Sequence, residues 1–528
     1  MQVTKINRVD TGLFSKLSNE LTYNQGQFAD FIQQPFSKEA FLQQIDRKKK
    51  QYEPATRLAL VQSLKQQYTD ISPSDEVSKN LDLLQKDSTF TITTGHQLSL
   101  FSGPLYFIYK IIHVIKLCRE LKETYPQNNF VPVFWLASED HDFEEVNHFQ
   151  LFGKTKTWET DQKGAVGRFD AESLATIREE LHAFFANHAD SEIHQLIDSY
   201  SGHTFGKAQF QFVHELFKNY GLIIVEPDVP NLKKLFVPII KKELLEQFAE
   251  QKVNTATEKL NTLGFKGQVF PRPINFFYVD KNLRERFQFV DGNYYVENVG
   301  SFTETEILNL LQSNPEKFSP NVVFRPVYQE VILPNLCYVG GGGEMAYWLQ
   351  LKGVFDEVNV VFPLIQVRNS LQLIDVNSAK KMEKLKLNFT DFLKDTNQLK
   401  KEYVQENSED EVDFRSIQSK FEELKTILVN QLNPIDAQLE KFTEIENTKL
   451  DKQFEGIQTK VVRIQKQKME TSMKQIDDLK NKFFPNGSLQ ERVDSFLTFC
   501  PTGNYSDFIK LIFDVVEPFE NDFLVVEV

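Results

Sequence analysis

The stretch Trp135-Leu136-Ala137-Ser138-Glu139-Asp140-His141-Asp142-Phe143-Glu144-Glu145-Val146-Asn147-His148 places five carboxylates and two histidines within ten positions, directly behind the apolar run 130–137. A strand that empties without a turn residue into such a cluster points to a site, because open α/β sheets bind ligands beyond the carboxyl ends of their strands. Two chemistries fit the residue types. Asp140, His141 and Asp142 could converge on a metal, with His148 at a poorer reach. Alternatively, repulsion between adjacent carboxylates, or an imidazole near neutrality, could serve acid–base work. The plainer alternative is an N-capping acidic loop with Glu144 and Glu145 in a first helical turn. Five acids cannot all be caps, so Asp140, His141 and Asp142 are read as functional, Glu139 and Asn147 as binding neighbours, and Glu144 as structural.

Two more constellations carry chemistry. In Thr93-Thr94-Gly95-His96-Gln97-Leu98-Ser99-Leu100-Phe101-Ser102-Gly103-Pro104 a β-branched run opens onto a helical pattern. Gly95 and Gly103 let the backbone approach a ligand, and His96, Gln97 and Ser102 could contact an anion. The alternative is a Gly-punctuated turn with Ser102 as cap. No P-loop and no G-x-G-x-x-G pattern is present. In the third, 319–330 and 338–348, Arg325 at a strand end would pin a carboxylate or phosphate, with Asn321 and Gln329 beside it. The run Gly340 to Gly343 before Glu344 reads as a mobile anion-wrapping turn through Gly341 and Gly342, or simply as a flexible loop. His113 lies in an apolar helix and reads as a core histidine, whereas His182, His188 and His194 read as solvent-facing.

These residues need a frame. Thr89 to Thr94, a helix from Pro104 to about Thr124, and 130–137 form a strand–helix–strand unit with a right-handed crossover. Helices at 38–50, 54–68 and 207–219, a strand at Leu222 to Val225, and one long helix from about Asn231 to Leu263 follow the same logic. Asn275 to Asp280, Phe287 to Val290 and Tyr294 to Asn298 read as strands, with Asp291-Gly292 as a hairpin turn. Val322 to Phe324, Leu336 to Val339 and Val360 to Val367 read as strands returning to the main sheet. From 376 to 484 Lys and Glu dominate, and apolar residues recur every three or four positions. One helix over 434–483 would be roughly 75 Å long, too long for a globular core, so an antiparallel arm or a dimerising coiled coil is expected, divided at Asn433-Pro434 and losing register near Met469.

The 528 residues are 41% hydrophobic and 12% aromatic, with 47 Phe, so sizeable cores and several domains are expected rather than disorder. A net charge of −14 argues against a nucleic-acid-binding surface. Cys118, Cys337 and Cys500 stand far apart without metal spacing; Cys118 and Cys337 read as buried thiols, and the chain as a reduced, cytoplasmic protein. The first ten residues contain no apolar signal segment, and no membrane span is expected.

Five blocks, TTGHQLSLFSGPLY, WLASEDHDFEEVNH, SPNVVFRPVYQE, GGGGEMAYW and FFPNGSLQER (483–492), occur in one order over essentially the full length. In this the chain resembles the cysteine-adding enzymes of bacillithiol biosynthesis. The resemblance implies an α/β fold, with a doubly wound Rossmann-type core like that of class I aminoacyl-tRNA synthetases and nucleotidylyltransferases. It also implies connecting-peptide insertions, a long α-helical coiled-coil arm and a homodimer through that arm. The implied partition is 1–148, 206–228 and 321–375 for the core, 149–205 and 229–320 for the insertions, 376–484 for the coiled coil, and 485–528 packing on the core. The implied reaction joins L-cysteine to glucosaminyl-malate by an amide bond, with ATP as expected activator and no metal required. Gly95-His96-Gln97 then stands where class I synthetases carry their histidine-rich phosphate motif, with one of its two histidines; the Lys-Met-Ser-Lys-Ser loop is absent. Residues 139–142 would hold an amine and Arg325 a carboxylate. The alternatives are a metal-dependent hydrolase or deacetylase built on Asp140-His141-Asp142, and a non-catalytic coiled-coil scaffold.

Overall fold

A computed structural model describes residues 2–407 and 412–528, with Lys468 described by its backbone alone. Residues 408–411 of the helical stretch lie outside the described residues. The chain divides into two compact units: Val3–Gln372 with Leu489–Val525, and Leu373–Ser488 with the extreme termini.

In the larger unit, β1 (Thr89–His96), β2 (Asn129–Leu136), β3 (Ile223–Val225), β4 (Asn335–Gly340) and β5 (Leu364–Val367) form one sheet in the order β5-β4-β1-β2-β3. All four pairings are parallel. The chain therefore builds outward from β1 through β2 to β3, then returns to the other side of β1 for β4 and β5. The reversal leaves a crevice beyond the carboxyl ends of β1 and β4.

Strand β1 is buried along seven of its eight residues because helices cover both faces of a parallel sheet. Its threonines are affordable only because partners exist: Thr91 and Thr93 donate to Asn335 Oδ1 at 3.2 and 2.8 Å, and Asn335 donates to Glu330 at 2.6 Å. Helix α1 (Tyr106–Thr124) makes the crossover to β2, and its Val114, Leu117, Cys118 and Leu121 pack with Phe90, Ile92 and Phe130. Burial pushes the Cys118 and Cys337 thiols well above their usual range, as expected of structural cysteines. His113 is a satisfied core residue between Asn369 (2.8 Å) and Gln366 (3.0 Å).

A second, antiparallel sheet stands beside the crevice, with Phe276–Asp280, Leu283–Val290, Asn293–Val296, Gly300–Phe302 and Phe318–Pro320 as its strands. Asp291 (φ 50°) and Gly292 (φ 80°) make the expected hairpin turn. The preceding hairpin turns on Lys281-Asn282 with Asn282 at φ 60°, and so begins four residues before the strand legible at Phe287.

Several expectations are corrected. The helix read over 231–263 is two, Pro230–Glu246 and Phe248–Thr262, broken at Gln247 (φ 50°, ψ 37°). The break lets the buried Glu243 carboxylate accept from the Ala249 N–H at 3.2 Å and from Asn275 at 2.9 Å, which a straight helix would forbid. Val322 to Phe324 is not a strand. Asn321 Oδ1 accepts from the Val323 N–H at 2.9 Å and its carbonyl from the Arg325 N–H at 2.8 Å, so an Asx turn leads into helix α2 (Phe324–Ile332) and overrides β-branched propensity. Strand β5 starts only at Leu364, after Pro363, not at Val360. His182 and His194 are half-buried rather than solvent-facing, with parallel rings 5.0 Å apart.

In the smaller unit, α3 (Phe414–Leu432) and α4 (Ala437–Lys468) form an antiparallel hairpin. Its pairing is fixed by Thr443 to Asn433 (2.7 Å), Lys425 to Asp451 (2.8 Å) and the Phe421–Phe454 rings (5.0 Å). The single helix read over 434–483 ends at Lys468 and resumes as Glu470–Phe483, with the break at Met469.

All three tryptophans, Trp135, Trp158 and Trp348, lie in the larger unit, so intrinsic fluorescence reports its unfolding alone. Ile92→Ala should lower that unit's stability by about 2–5 kcal/mol, read as a lower guanidinium midpoint of the fluorescence transition in the full chain.

Candidate active site

A cavity of about 770 Å³ occupies the crevice at the sheet's switch point. The end of β1 supplies Gly95, His96 and Gln97; the segment after β2 supplies Glu139, Asp140 and His141; the segment after β4 supplies Gly341, Gly343 and Glu344. Helix α2 and the turn before it contribute Arg325 and Asn321, and the antiparallel sheet contributes Phe277, Arg284 and Arg286. Two of the three central constellations thus meet at adjacent strand ends, and the third closes the opposite wall. Arg325 reaches it from the first turn of a helix rather than from a strand end.

The remaining sequence candidates lie off the cavity wall. Asp142 caps the short helix Phe143–Val146 by accepting from the Glu145 N–H at 3.3 Å, and Asn147 closes that helix. Ser102 and Gly103 sit in a buried left-handed bend with φ of 66° and 57°, and the Ser102 hydroxyl has no hydrogen-bond partner among the described residues. Gln329 is buried and donates to Glu330 at 3.0 Å. The glycine run is not a mobile loop: Gly340 ends β4, and a Cβ on Gly342 would meet Ser18 Oγ at 2.2 Å. Gly341 and Gly343 face open space. Among the described residues no group of three or more His, Cys, Asp or Glu is placed to hold a metal ion, and Asp140, His141 and Asp142 do not converge.

The electrostatics invert those of the whole molecule. Seven cationic side chains line the cavity (Lys110, Arg272, Arg284, Arg286, Arg325, Arg368, Arg492) against four carboxylates (Glu139, Asp140, Glu145, Glu344). Lys110 is buried and bridges the Gly95 carbonyl (2.5 Å) to Glu344 (2.8 Å), whose other oxygen accepts from the Tyr338 hydroxyl at 2.5 Å. Arg368 forks onto Glu491 at 2.7 and 2.9 Å. Arg325 donates to the Tyr347 hydroxyl at 2.5 Å; burial works against its charge, but Tyr347, Tyr338 and Glu344 outweigh burial and hold it protonated.

On the facing loop Asp140 is equally fixed. Burial pushes its carboxyl up, yet hydrogen bonds from His141 and Gln97 and the nearby Arg284 charge hold it well below the usual carboxylate range. Gln97 Nε2 donates to it at 3.0 Å and the His141 N–H at 2.7 Å. Arg284 stands 2.6 Å from His141 Nδ1 and 3.8 Å above the Phe277 ring, so the loop and the antiparallel sheet are joined at that point. Glu139 is paired instead with the buried Lys233.

His96 is neutral. Burial, with Lys110 beside it, pushes its pKa down to about 4. The Gln97 carbonyl, 2.9 Å from Nδ1, requires a proton there, which leaves Nε2 to accept from the Tyr106 hydroxyl at 3.0 Å. The site therefore combines a permanent anion, Asp140, a permanent cation, Arg325, and a neutral imidazole that orients a tyrosine.

Sequence reading missed Lys110, Tyr106, Arg284 and Arg368. Lys110 left one signal, a charge inside the apolar periodicity of α1; the others left none. It also missed Glu226, next after β3, whose carboxyl burial and Asp228 push up to about 8 although Ser138 donates to it. Folded protein thus keeps a proton there that the unfolded chain releases near pH ~4.3, so this carboxyl lowers stability as pH rises toward 8. His96 and His113, both down to about 4 through burial, act in the opposite sense below the unfolded histidine value of ~6.5. Between pH ~6.5 and 8 the histidine effect is spent, and Glu226 acts together with Glu243, whose carboxyl burial pushes up to about 7, each contributing at most about 1.4 kcal/mol per pH unit. Glu226→Gln should flatten the fall in stability across that window, measured as the fluorescence-detected midpoint against pH.

Two family models cover the chain: "Bacillithiol biosynthesis BshC, N-terminal Rossmann-like domain" over residues 1–369 and "Bacillithiol biosynthesis BshC, C-terminal coiled-coil domain" over 371–528. Proteins named "Putative cysteine ligase BshC" are similar throughout. The one from Flavobacterium psychrophilum is 42% identical over 495 residues, covering 92% of each chain. That from Flavobacterium johnsoniae is 39% identical over 522 residues, covering 98% of each. That from Christiangramia forsetii is 38% identical over 534 residues, covering 99% of this chain and 98% of its own. A solved chain described as a "putative arginyl t-RNA synthetase" from Campylobacter jejuni aligns over 83% of this chain and 96% of its own, at 9% identity and a TM-score of 0.21, below what a shared fold requires.

Proposed function

Because the chain belongs to the BshC family of bacillithiol biosynthesis, we propose that it is a carbon–nitrogen ligase joining L-cysteine to glucosaminyl-malate. The observation that carries this reading is the pairing of Asp140 and Arg325, each held in one charge state, across a cavity that is otherwise cationic. Amide formation needs an amine and a carboxylate in contact. The Asp140 carboxylate suits the ammonium, and Arg325, steadied by Tyr347, suits the carboxylate. Asp140 is too weak a base to deprotonate the amine, so it orients rather than accepts.

A free carboxylate does not condense with an amine in water, and ATP bound in the cavity would supply the activation. The donor set fits a polyphosphate: Arg492 lines the cavity without a carboxylate partner among the described residues, and Lys110 and Arg368 stand behind it. The neutral His96 holds the Tyr106 hydroxyl, so its role is positioning, with Gly95 and Gln97 shaping the same corner. No helix among the described residues is long and apolar enough to cross a membrane, and the cysteines are free and buried, in keeping with a cytoplasmic enzyme.

We further propose that the helical hairpin pairs with a second copy. Ile417, Leu424, Ile427, Phe442, Ile445, Ile457 and Ile464 are large apolar side chains left exposed on α3 and α4, an arrangement that a partner helix would cover.

Purified protein with cysteine, glucosaminyl-malate and ATP should form the amide product by mass spectrometry; absence of product with all three present refutes the ligase reading. Asp140→Asn should lower kcat by about a hundredfold through misplacing the amine, and Arg325→Gln should raise the KM of a carboxylate substrate. Light scattering should give twice the chain mass, and Phe442→Lys with Ile445→Lys should return it to the chain mass.

A further inference from the structure

Phe270 is 80% exposed yet faces the cavity mouth, while its neighbour Val269 and nearby Ile274 are buried. The display is rigid. On one side the buried Gln350 accepts from the Gln268 and Val269 N–H groups at 2.7 and 2.9 Å and donates to the Val269 carbonyl at 3.0 Å. On the other, buried Asn275 accepts from the Arg272 N–H at 3.1 Å and donates to its carbonyl at 2.6 Å, and is itself tied to Glu243 at 2.9 Å. Between these posts lie only Phe270 and Pro271. A solvent-facing phenyl on a fixed bracket at a cavity rim is what a ligand's apolar face requires, not what packing requires.

Two of the charges lining the same cavity are unspent. Arg284 and Arg286 alternate on one face of Leu283–Val290, both directed at Phe277, with guanidinium-to-ring distances of 3.8 and 5.8 Å. Arg284 is committed to His141. The guanidinium groups of Arg272 and Arg286 make no hydrogen bond or ion pair among the described residues, whereas Arg284, Arg325 and Arg368 each have a partner. Two free guanidinium groups lining the same cavity as one free aromatic face match a ligand that joins a carbohydrate ring to two carboxylates.

We propose that Phe270, Arg272 and Arg286 form the subsite for the glycosyl dicarboxylate: the hexose ring lies on the phenyl, and the carboxylates pair with the two arginines. Its amine then points along the wall toward Asp140, through the Arg284–His141 junction. Naming that ligand as glucosaminyl-malate rests on the ligase reading above; the subsite's chemistry does not.

Equilibrium binding without ATP or cysteine tests the subsite apart from turnover. Phe270→Ala should weaken glucosaminyl-malate and methyl glucosaminide alike by about tenfold or more, the equivalent of ~1.4 kcal/mol, and Phe270→Trp should retain both. Arg272→Gln with Arg286→Gln should weaken glucosaminyl-malate and free malate by a similar factor and leave methyl glucosaminide unchanged. In turnover, the KM of glucosaminyl-malate alone should rise. Unchanged binding in Phe270→Ala, or a rise in the KM of ATP instead, overturns the subsite. Wild-type protein that binds glucosaminyl-malate in this pattern but makes no amide leaves the subsite standing and refutes the ligase reading.

Discussion

The buried ammonium of Lys110 is the constraint on which the site's floor depends. An unpaired charge at that depth would be prohibitive, so the end of β1 and the segment after β4 must both come to it. The Gly95 carbonyl and Glu344 do so, and Glu344 in turn draws in Tyr338. The approach is tight at residue 95: a Cβ there would sit 3.2 Å from the Tyr338 hydroxyl and 3.3 Å from Arg325, so both would have to give by a few tenths of an ångström. One ion pair therefore holds the two strands on either side of the topological switch, and brings Arg325 into the crevice they define.

Around that floor the protein separates its charges. The chain is acidic overall, with a net charge of −14, yet its cavity is lined mainly by cations. Those cations divide by commitment. Arg368 is bound to Glu491 and Lys110 to Glu344, and these support the walls. Arg272, Arg286 and Arg492 have no such partner among the described residues and face the space a substrate would fill. Asp140 shows the converse device. Three donors around one carboxylate keep it ionised against burial, so it can meet a cation without first losing a proton. Charge state is set here by neighbours, not by residue type.

The same rule governs the secondary structure where sequence expectations failed. Propensity alone carries a helix through Gln247 and a strand through Val322-Val323. In both places one polar side chain decides otherwise: the buried Glu243 must find the Ala249 N–H, and the half-buried Asn321 closes a turn onto the Val323 N–H ahead of α2. Satisfying a buried acceptor outweighs the few tenths of a kcal/mol per residue by which propensities differ.

The alternation of β-branched runs with apolar helical periods carried the parallel core, because a sheet covered on both faces demands uninterrupted burial and leaves that record in consecutive residues. The long Lys- and Glu-rich periodicity carried the helical arm for the same reason. The two clusters at the ends of β1 and β2 were legible because they interrupt those runs. What no linear pattern contains is which side chains face one another. Arg284 lies 143 positions from His141, and Lys110 lies 234 from Glu344; neither separation has a period. Asp142 stands two residues from Asp140, yet one caps a helix and the other faces the cavity. Local order follows from the sequence because its causes lie within a few residues. The composition of the site belongs to tertiary structure, because burial and pairing across the crevice decide each group's charge, direction and company.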